Sequence, residues 1–235
     1  KSTALRMLAE LAARISRDQD AVNLLERCVE LAPGFHAARQ QYALMLNRAE
    51  KPAEALAQIE LLLGRDTANP AYRNLKAVIL CHVGEYDAAI AIYDELLARY
   101  PHQPKMWLSC GHALKTAGYQ DRAIAAYRRA IELEPGFGEA WWSLANLKTF
   151  RFEGAEVATM QAQLARGEEL GPQERHHFGF ALGKALEDRG QYEQSFRHYL
   201  EGNTLRRATV AYSAEDNSLR LRRTKQLLDA EFFRK

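Results

Sequence analysis

Small and bulky hydrophobic positions alternate along this chain in a frame that repeats every 34 residues. Laid over 2–35, 36–69, 70–103, 104–137 and 138–171, then over 176–209 after four extra residues, the frame covers 204 of 235 residues. Its eighth and twentieth positions hold Ala9 with Ala21, Ala43 with Ala55, Ala77 with Ala89, Gly111 with Ala123, Ala145 with Val157, and Gly183 with Ser195. A period of that length marks an array of supersecondary units. Two helices fit in each unit. Small facing residues let antiparallel helices approach closely while bulky ones fill the outer gaps.

Breakers fall where such hairpins need them. Pro33, Pro101 and Pro135 stop the second helix of their units, since proline lacks the amide donor and clashes with the preceding turn. Gly84, Gly118 and Gly190 occupy the turn between helices, where positive φ costs glycine little. The second unit has Glu50 there instead, followed by Pro52, which suits a first helical turn. The fifth unit departs furthest. Phe152 replaces the turn glycine, Gln161 replaces an aromatic, and 167–172 breaks the helix, predicting an altered pair with a short insertion.

These residues resemble the tetratricopeptide repeat family. The fourth unit is the fullest match, with Trp107, Gly111, Leu114, Gly118, Ala123, Tyr127, Ala130 and Pro135 in place and Cys110 where the family has Leu. The resemblance implies an all-α, right-handed solenoid of antiparallel helix pairs over 1–212. The remaining 213–235 would be a capping helix or a linker to a missing domain. Leu219, Leu221, Leu227, Leu228, Phe232 and Phe233 are the residues expected to cover the last repeat.

The family lines a groove with positions two, five, nine, twelve and thirteen of its first helices. Carried onto this chain, these make Asn74, Lys105, Leu108, His112, Trp142, Asn146, Phe150, Phe180 and Lys184 the candidate partner-binding residues, for a protein or peptide. Val78, His82, Lys115, His177 and Glu187 fall at equivalent places. Trp142 is the leading anchor, because its neighbour Trp141 takes the core position and the two rings must diverge. The family's carboxylate clamp would use Arg6, Glu10, Gln41, Ala71 and Leu75, or Asn74, Val78, Ser109, Glu139 and Ser143; neither set concentrates positive charge.

The final residues carry a second resemblance. His177–Tyr192, Ser195-Phe196, Tyr199 and Glu201–Arg207, with the closing Asp229-Ala230-Glu231-Phe232-Phe233, look like the segment that joins tetratricopeptide repeats to a sulfotransferase domain in bacterial two-part proteins. That implies a role as the N-terminal module of a sulfotransferase-like protein, which could also dock the downstream catalytic domain. The sulfate-donor loop would lie beyond residue 235.

Charge and chemistry exclude more than they add. The 32 Lys and Arg against 30 Asp and Glu are not a polyanion-binding composition, although 203–235 holds eight basic and four acidic residues. Arg206, Arg207, Arg220, Arg222, Arg223 and Lys225 therefore leave nucleic-acid contact as a lesser alternative. A stand-alone adaptor in assembly or secretion is another. No phosphate-binding glycine loop occurs, and Cys28, Cys81 and Cys110 have neither disulfide nor zinc spacing. His176 with His177, Cys81 with His82, and Cys110 with His112 are weak metal candidates, the first pair because neighbours point apart on a helix. No catalytic site, cofactor or metal is expected. The lack of a spanning segment or signal peptide suggests a cytoplasmic protein, and an opening Lys1 in place of Met suggests a fragment.

Overall fold

The computed structural model describes residues 1–210, 212–228 and 232–234, with the Arg234 side chain left aside. The described residues form α-helices and two short 3-10 turns, in two compact units, Lys1–Pro135 and Gly136–Lys235.

The first unit holds α1 (Ser2–Arg14), α2 (Asp18–Leu31), α3 (His36–Arg48), α4 (Pro52–Leu63), α5 (Pro70–Val83), α6 (Tyr86–Arg99), α7 (Pro104–Thr116) and α8 (Gln120–Leu133). Successive helices pack on one another, and α5 also touches α3 and α7, so the first helices of neighbouring hairpins lie side by side. Ala9, Ala21, Ala43, Ala55, Ala77, Ala89 and Ala123 are all fully buried, which is why nothing larger fits the eighth and twentieth positions. Gly111 shows the constraint directly: a Cβ there would sit 2.4 Å from the ring of Tyr127. At the next layer Leu25, Ile59, Tyr93 and Tyr127 fill the same place in four successive hairpins.

Local signals set the ends. Pro70 occupies the first turn of α5, whose N-cap Asn69 accepts bonds from the amides of Ala71 and Tyr72 at 3.1 and 3.3 Å. Gly84 closes it at φ 87°, and Gly118 and Gly190 have φ 90° and 72°. Ser16 and Glu50 adopt the same left-handed backbone, at φ 59° and 58°, at the same place in their hairpins. The backbone geometry is therefore fixed by the hairpin even where the residue opposes it. Glu50→Gly should stabilise the first unit by up to about 1 kcal/mol, the relief being partly offset by the entropy of the freer chain. An unchanged urea midpoint would show that Glu50 bears no such strain.

The second unit holds α9 (Gly138–Ala145), α10 (Gly154–Leu164), a 3-10 turn at Gly167–Glu169, α11 (Pro172–Glu187), α12 (Tyr192–Thr209), α13 (Ala214–Leu227) and a 3-10 turn at Phe232–Arg234. The fifth repeat is altered: α9 has only 8 residues and packs on α11, and the left-handed residue is Lys148 at φ 53°. A reciprocal box between Glu153 and Glu156 starts α10 in place of the missing turn glycine. The 34-residue frame then resumes in α11 and α12. Ser195 donates to the carbonyl of Gly183 at 2.7 Å from a buried hydroxyl. Cβ atoms on Gly179 and Gly202 would meet backbone of the facing helix at 3.1–3.3 Å. The two helices therefore touch nearly main chain to main chain.

The tail forms a helix but buries none of its described residues. Leu219, Leu221 and Leu227 stay exposed, as do Phe196 and Leu200 on α12. Leu219 and Leu221 stand two apart, on different sides of a helix, and Arg220, Arg222, Arg223 and Lys225 interrupt any apolar stripe. Hence α13 lacks the face that a packed cap needs. Asp229, Ala230 and Glu231 of the closing motif lie outside the described residues.

Candidate functional site

In the first unit, α5, α6 and α7 enclose an open cavity of about 310 Å³ lined by Val78, Cys81, His82, Tyr93, Ser109 and His112, among others. Three groove positions of neighbouring hairpins, Val78, His82 and His112, thus meet. Both imidazoles are held from behind. His82 Nδ1 donates to Asn47 Oδ1 at 2.9 Å, and His112 Nδ1 bonds the Tyr127 hydroxyl at 3.0 Å. Lys105 and Asn74 do not line the cavity; Lys105 is exposed and Asn74 half-buried. Leu108 corrects the sequence reading: it is 6% exposed and belongs to the buried face of α7, not to the cavity lining.

The second unit has a cleft of about 370 Å³ between α9, α11 and α12, lined by Glu139, Trp142, Gln173, His176, His177, Phe180 and Arg206. Trp141 turns inward, as its frame position demands, and packs on Phe152 and Phe178 with ring centroids 6.1 and 6.3 Å apart. Trp142 is half-buried, 5.3 Å from Phe180, and the two rings form an apolar wall on the cleft. The helix divides the two tryptophans as expected from adjacent positions.

Four expectations fail or change here. Phe150 is buried edge-to-face against Phe152 at 4.9 Å, since the chain leaves α9 early and folds this ring inward. Asn146 is exposed at the C-cap of the shortened α9 and does not line the cleft. Lys184 is ion-paired with Asp188, which also holds Arg151 at 3.0 Å, so its charge is already committed. His176 and His177 do not point apart. Their ring centroids are 4.0 Å from each other, with the ring planes inclined at 42°.

Sequence reasoning missed Arg206, Glu139, Gln173 and His176 as cleft residues. Arg206 comes from a second helix, which the groove rule ignores. The Gly179–Gly202 approach, with a Cβ on Gly202 only 3.2 Å from the His176 carbonyl, carries Arg206 one turn further along α12 to the histidine pair. Two glycines four residues apart, Gly179 and Gly183, were the available signal. Burial pushes the His177 imidazole down to about 4, helped by His176, with Glu139 opposing and Arg206 adding to the depression. The His176 imidazole is lowered also, chiefly by burial. The His177 ring is neutral at pH 7.

A tetratricopeptide-repeat profile matches residues 1–135, more than half of the chain. The chain belongs to the tetratricopeptide-repeat family. Among curated proteins it is similar to Protein O-mannosyl-transferase TMTC1 of Homo sapiens, 22% identical over 152 residues, 63% of this chain and 17% of that protein. It is also similar to the Peroxisomal targeting signal receptor of Candida glabrata, 25% identical over 130 residues, 54% of this chain and 22% of that protein. The chain thus spans under a quarter of the length of either relative. The crystal structure of TTC0263, a thermophilic tetratricopeptide protein of Thermus thermophilus, has the same fold: TM-score 0.61 at 19% identity, over 77% of this chain and 99% of that one.

The repeats account for the thiols as packing. Cys110 is buried at the position that Leu8, Leu144 and Leu182 take in the first, fifth and sixth repeats, and desolvation, then Asp94, pushes its thiol up to about 12. Among the described residues no three His, Cys, Asp or Glu side chains group as metal ligands, and no helix is long and apolar enough to cross a membrane.

Proposed function

We propose that this tetratricopeptide chain is a protein- or peptide-binding scaffold, and that the Trp142–Phe180 wall is its principal anchor site. The observation that carries this is a large, half-buried aromatic pair on an open cleft with polar groups around it, the usual arrangement of an interface hot spot. The family membership and the receptor among its relatives support a binding role. Val78, His82 and His112 offer a second, smaller contact surface, with Lys105 and Asn74 outside its cavity. One array of six hairpins through residue 212 belongs to the same proposal.

The finer reading is a module that presents a protein acceptor to a sulfotransferase domain. Its support is the resemblance of residues 177–207 to the joining segment of such proteins. A gene product carrying that domain should transfer sulfuryl groups, with KM for the protein acceptor rising when Trp142 is replaced by alanine. Absence of such a domain from the parent sequence would remove this reading and leave the scaffold.

The anchor is tested by selecting peptides on the immobilised chain from a random library. Trp142→Ala should weaken the selected peptides at least tenfold, since truncating a hot-spot aromatic costs about 2 kcal/mol or more. Undiminished binding to a folded Trp142→Ala chain would remove Trp142 from the site.

A further inference from the structure

The outermost hairpins leave apolar faces uncovered. Leu8 and Leu11 on α1 are 52% and 56% exposed, and with Leu5, Ile15 and Leu24 they line an open groove of about 510 Å³. On α12, Tyr192, Phe196 and Leu200 form a stripe at four-residue spacing, in which Phe196 and Leu200 are 66% and 56% exposed. The repeat frame shows what covers these places elsewhere. Met45, Ile79 and Ala113, which correspond to Leu11, are buried; of the residues that correspond to Phe196 in the first three hairpins, Val22 and Ile90 are buried and Leu56 is half-buried. Those residues belong to helices that pack on the neighbouring hairpin, α2 on α3, α4 on α5 and α6 on α7. A terminal repeat that faces water needs a polar outer surface. Neither outermost hairpin has one.

We propose that the two faces are the halves of one contact, in which α12 of one chain docks head to tail on α1 and α2 of a second copy and continues the hairpin-on-hairpin packing from chain to chain. Pairs of frame positions specify this partner. Inside the first unit Tyr42 donates to Glu26 at 3.4 Å and Lys76 pairs with Glu60 at 2.6 Å, each joining position seven of one repeat to position twenty-five of the repeat before it. In the outermost hairpins the same two positions hold Leu8 and Leu200. A carboxylate set against Leu8, as the first three hairpins would offer with Glu26, Glu60 or Asp94, would be desolvated without a partner, whereas Leu200 matches it.

The rim agrees. Arg48 and Asp18, 3.1 Å apart across the first junction, have Arg14 and Tyr192 as their counterparts, a guanidinium facing an aromatic ring. The bond from the Tyr119 hydroxyl to Asp87 at 3.1 Å has Arg17 and Glu193 in its place, which are opposite charges. Their present partners, Asp20 and Arg197, are surface neighbours three and four residues away, and such exposed pairs exchange at little cost. Each copy uses a different face at each contact, so the assembly lengthens with concentration or closes into a ring. None of these residues lines the Trp142 cleft, and the contact is separate from the groove-binding role.

Light scattering and sedimentation of the full chain test the contact. Mass should rise with concentration, with a dissociation constant per contact on the order of 10 μM. Leu11→Glu blocks the α1 face and Phe196→Glu blocks the α12 face; each should weaken association about a hundredfold, because a charge enters the contact unpaired. Both positions are exposed in the single chain, so circular dichroism should show native helix content in each variant. Mixed in equal amounts, the two variants should form a 1:1 dimer of native affinity that grows no further, since each supplies the face that the other lacks. Arg17→Glu should weaken the contact about fivefold, and Glu193→Arg in the same chain should restore it. A native chain that stays monomeric at about 100 μM, a dimer formed by either blocked variant alone, or blocked variants that stay monomeric when mixed would overturn the head-to-tail contact.

Discussion

Tyr127→Ala is expected to cost the first unit about 3–5 kcal/mol, and Gly111→Ala in the native background about 1–3 kcal/mol. Tyr127 is fully buried, so its removal leaves a cavity that the helices can only partly close. At Gly111 a methyl group would penetrate the Tyr127 ring at 2.4–2.6 Å, and the ring cannot swing away because it is buried and its hydroxyl bonds His112. The two substitutions should therefore couple strongly. With Tyr127 already truncated, Gly111→Ala should be neutral or favourable by up to about 1 kcal/mol, since alanine is the better helix former once the clash is gone. Urea unfolding of the four proteins tests this. An equal penalty for Gly111→Ala in both backgrounds would show that the ring does not set the helix spacing.

The adjacent tryptophans should behave in opposite ways. Trp141→Ala should destabilise the second unit by about 3–5 kcal/mol, because its ring is enclosed by Phe152 and Phe178 in a packed core. Trp142→Ala should cost less than about 1.5 kcal/mol, since part of its surface already faces water and it loses chiefly the Phe180 contact. Thermal melts followed by circular dichroism would measure both. Similar losses at the two positions would mean that Trp142 is structural, and the binding test at that residue would then report unfolding instead of recognition.

Repeating chemistry was readable where the same local rule acts on every hairpin. Alanine at the eighth and twentieth positions, glycine at the turns and proline after second helices each answer a constraint that lies within one helix pair. The irregular fifth hairpin was visible as a departure from those rules, through Phe152 and Gln161. How the irregularity resolves was not. The loss of a few residues from α9 moves Asn146 to a helix end and sends Phe150 into the core, because groove positions counted from a frame hold only while the helix continues. Lys184 fails for another reason: Asp188, one turn along, takes its charge.

By itself, the order of residues determined an array of paired helices, their turns and the close helix contacts, since each follows from spacing along the chain and the volume of one side chain. Only tertiary structure decided which groove positions stay open and that Arg206 joins His176, His177 and Trp142. Those residues come from three helices, and their meeting depends on the distance at which α11 and α12 cross, a quantity set by Gly179 and Gly202 acting together across the interface.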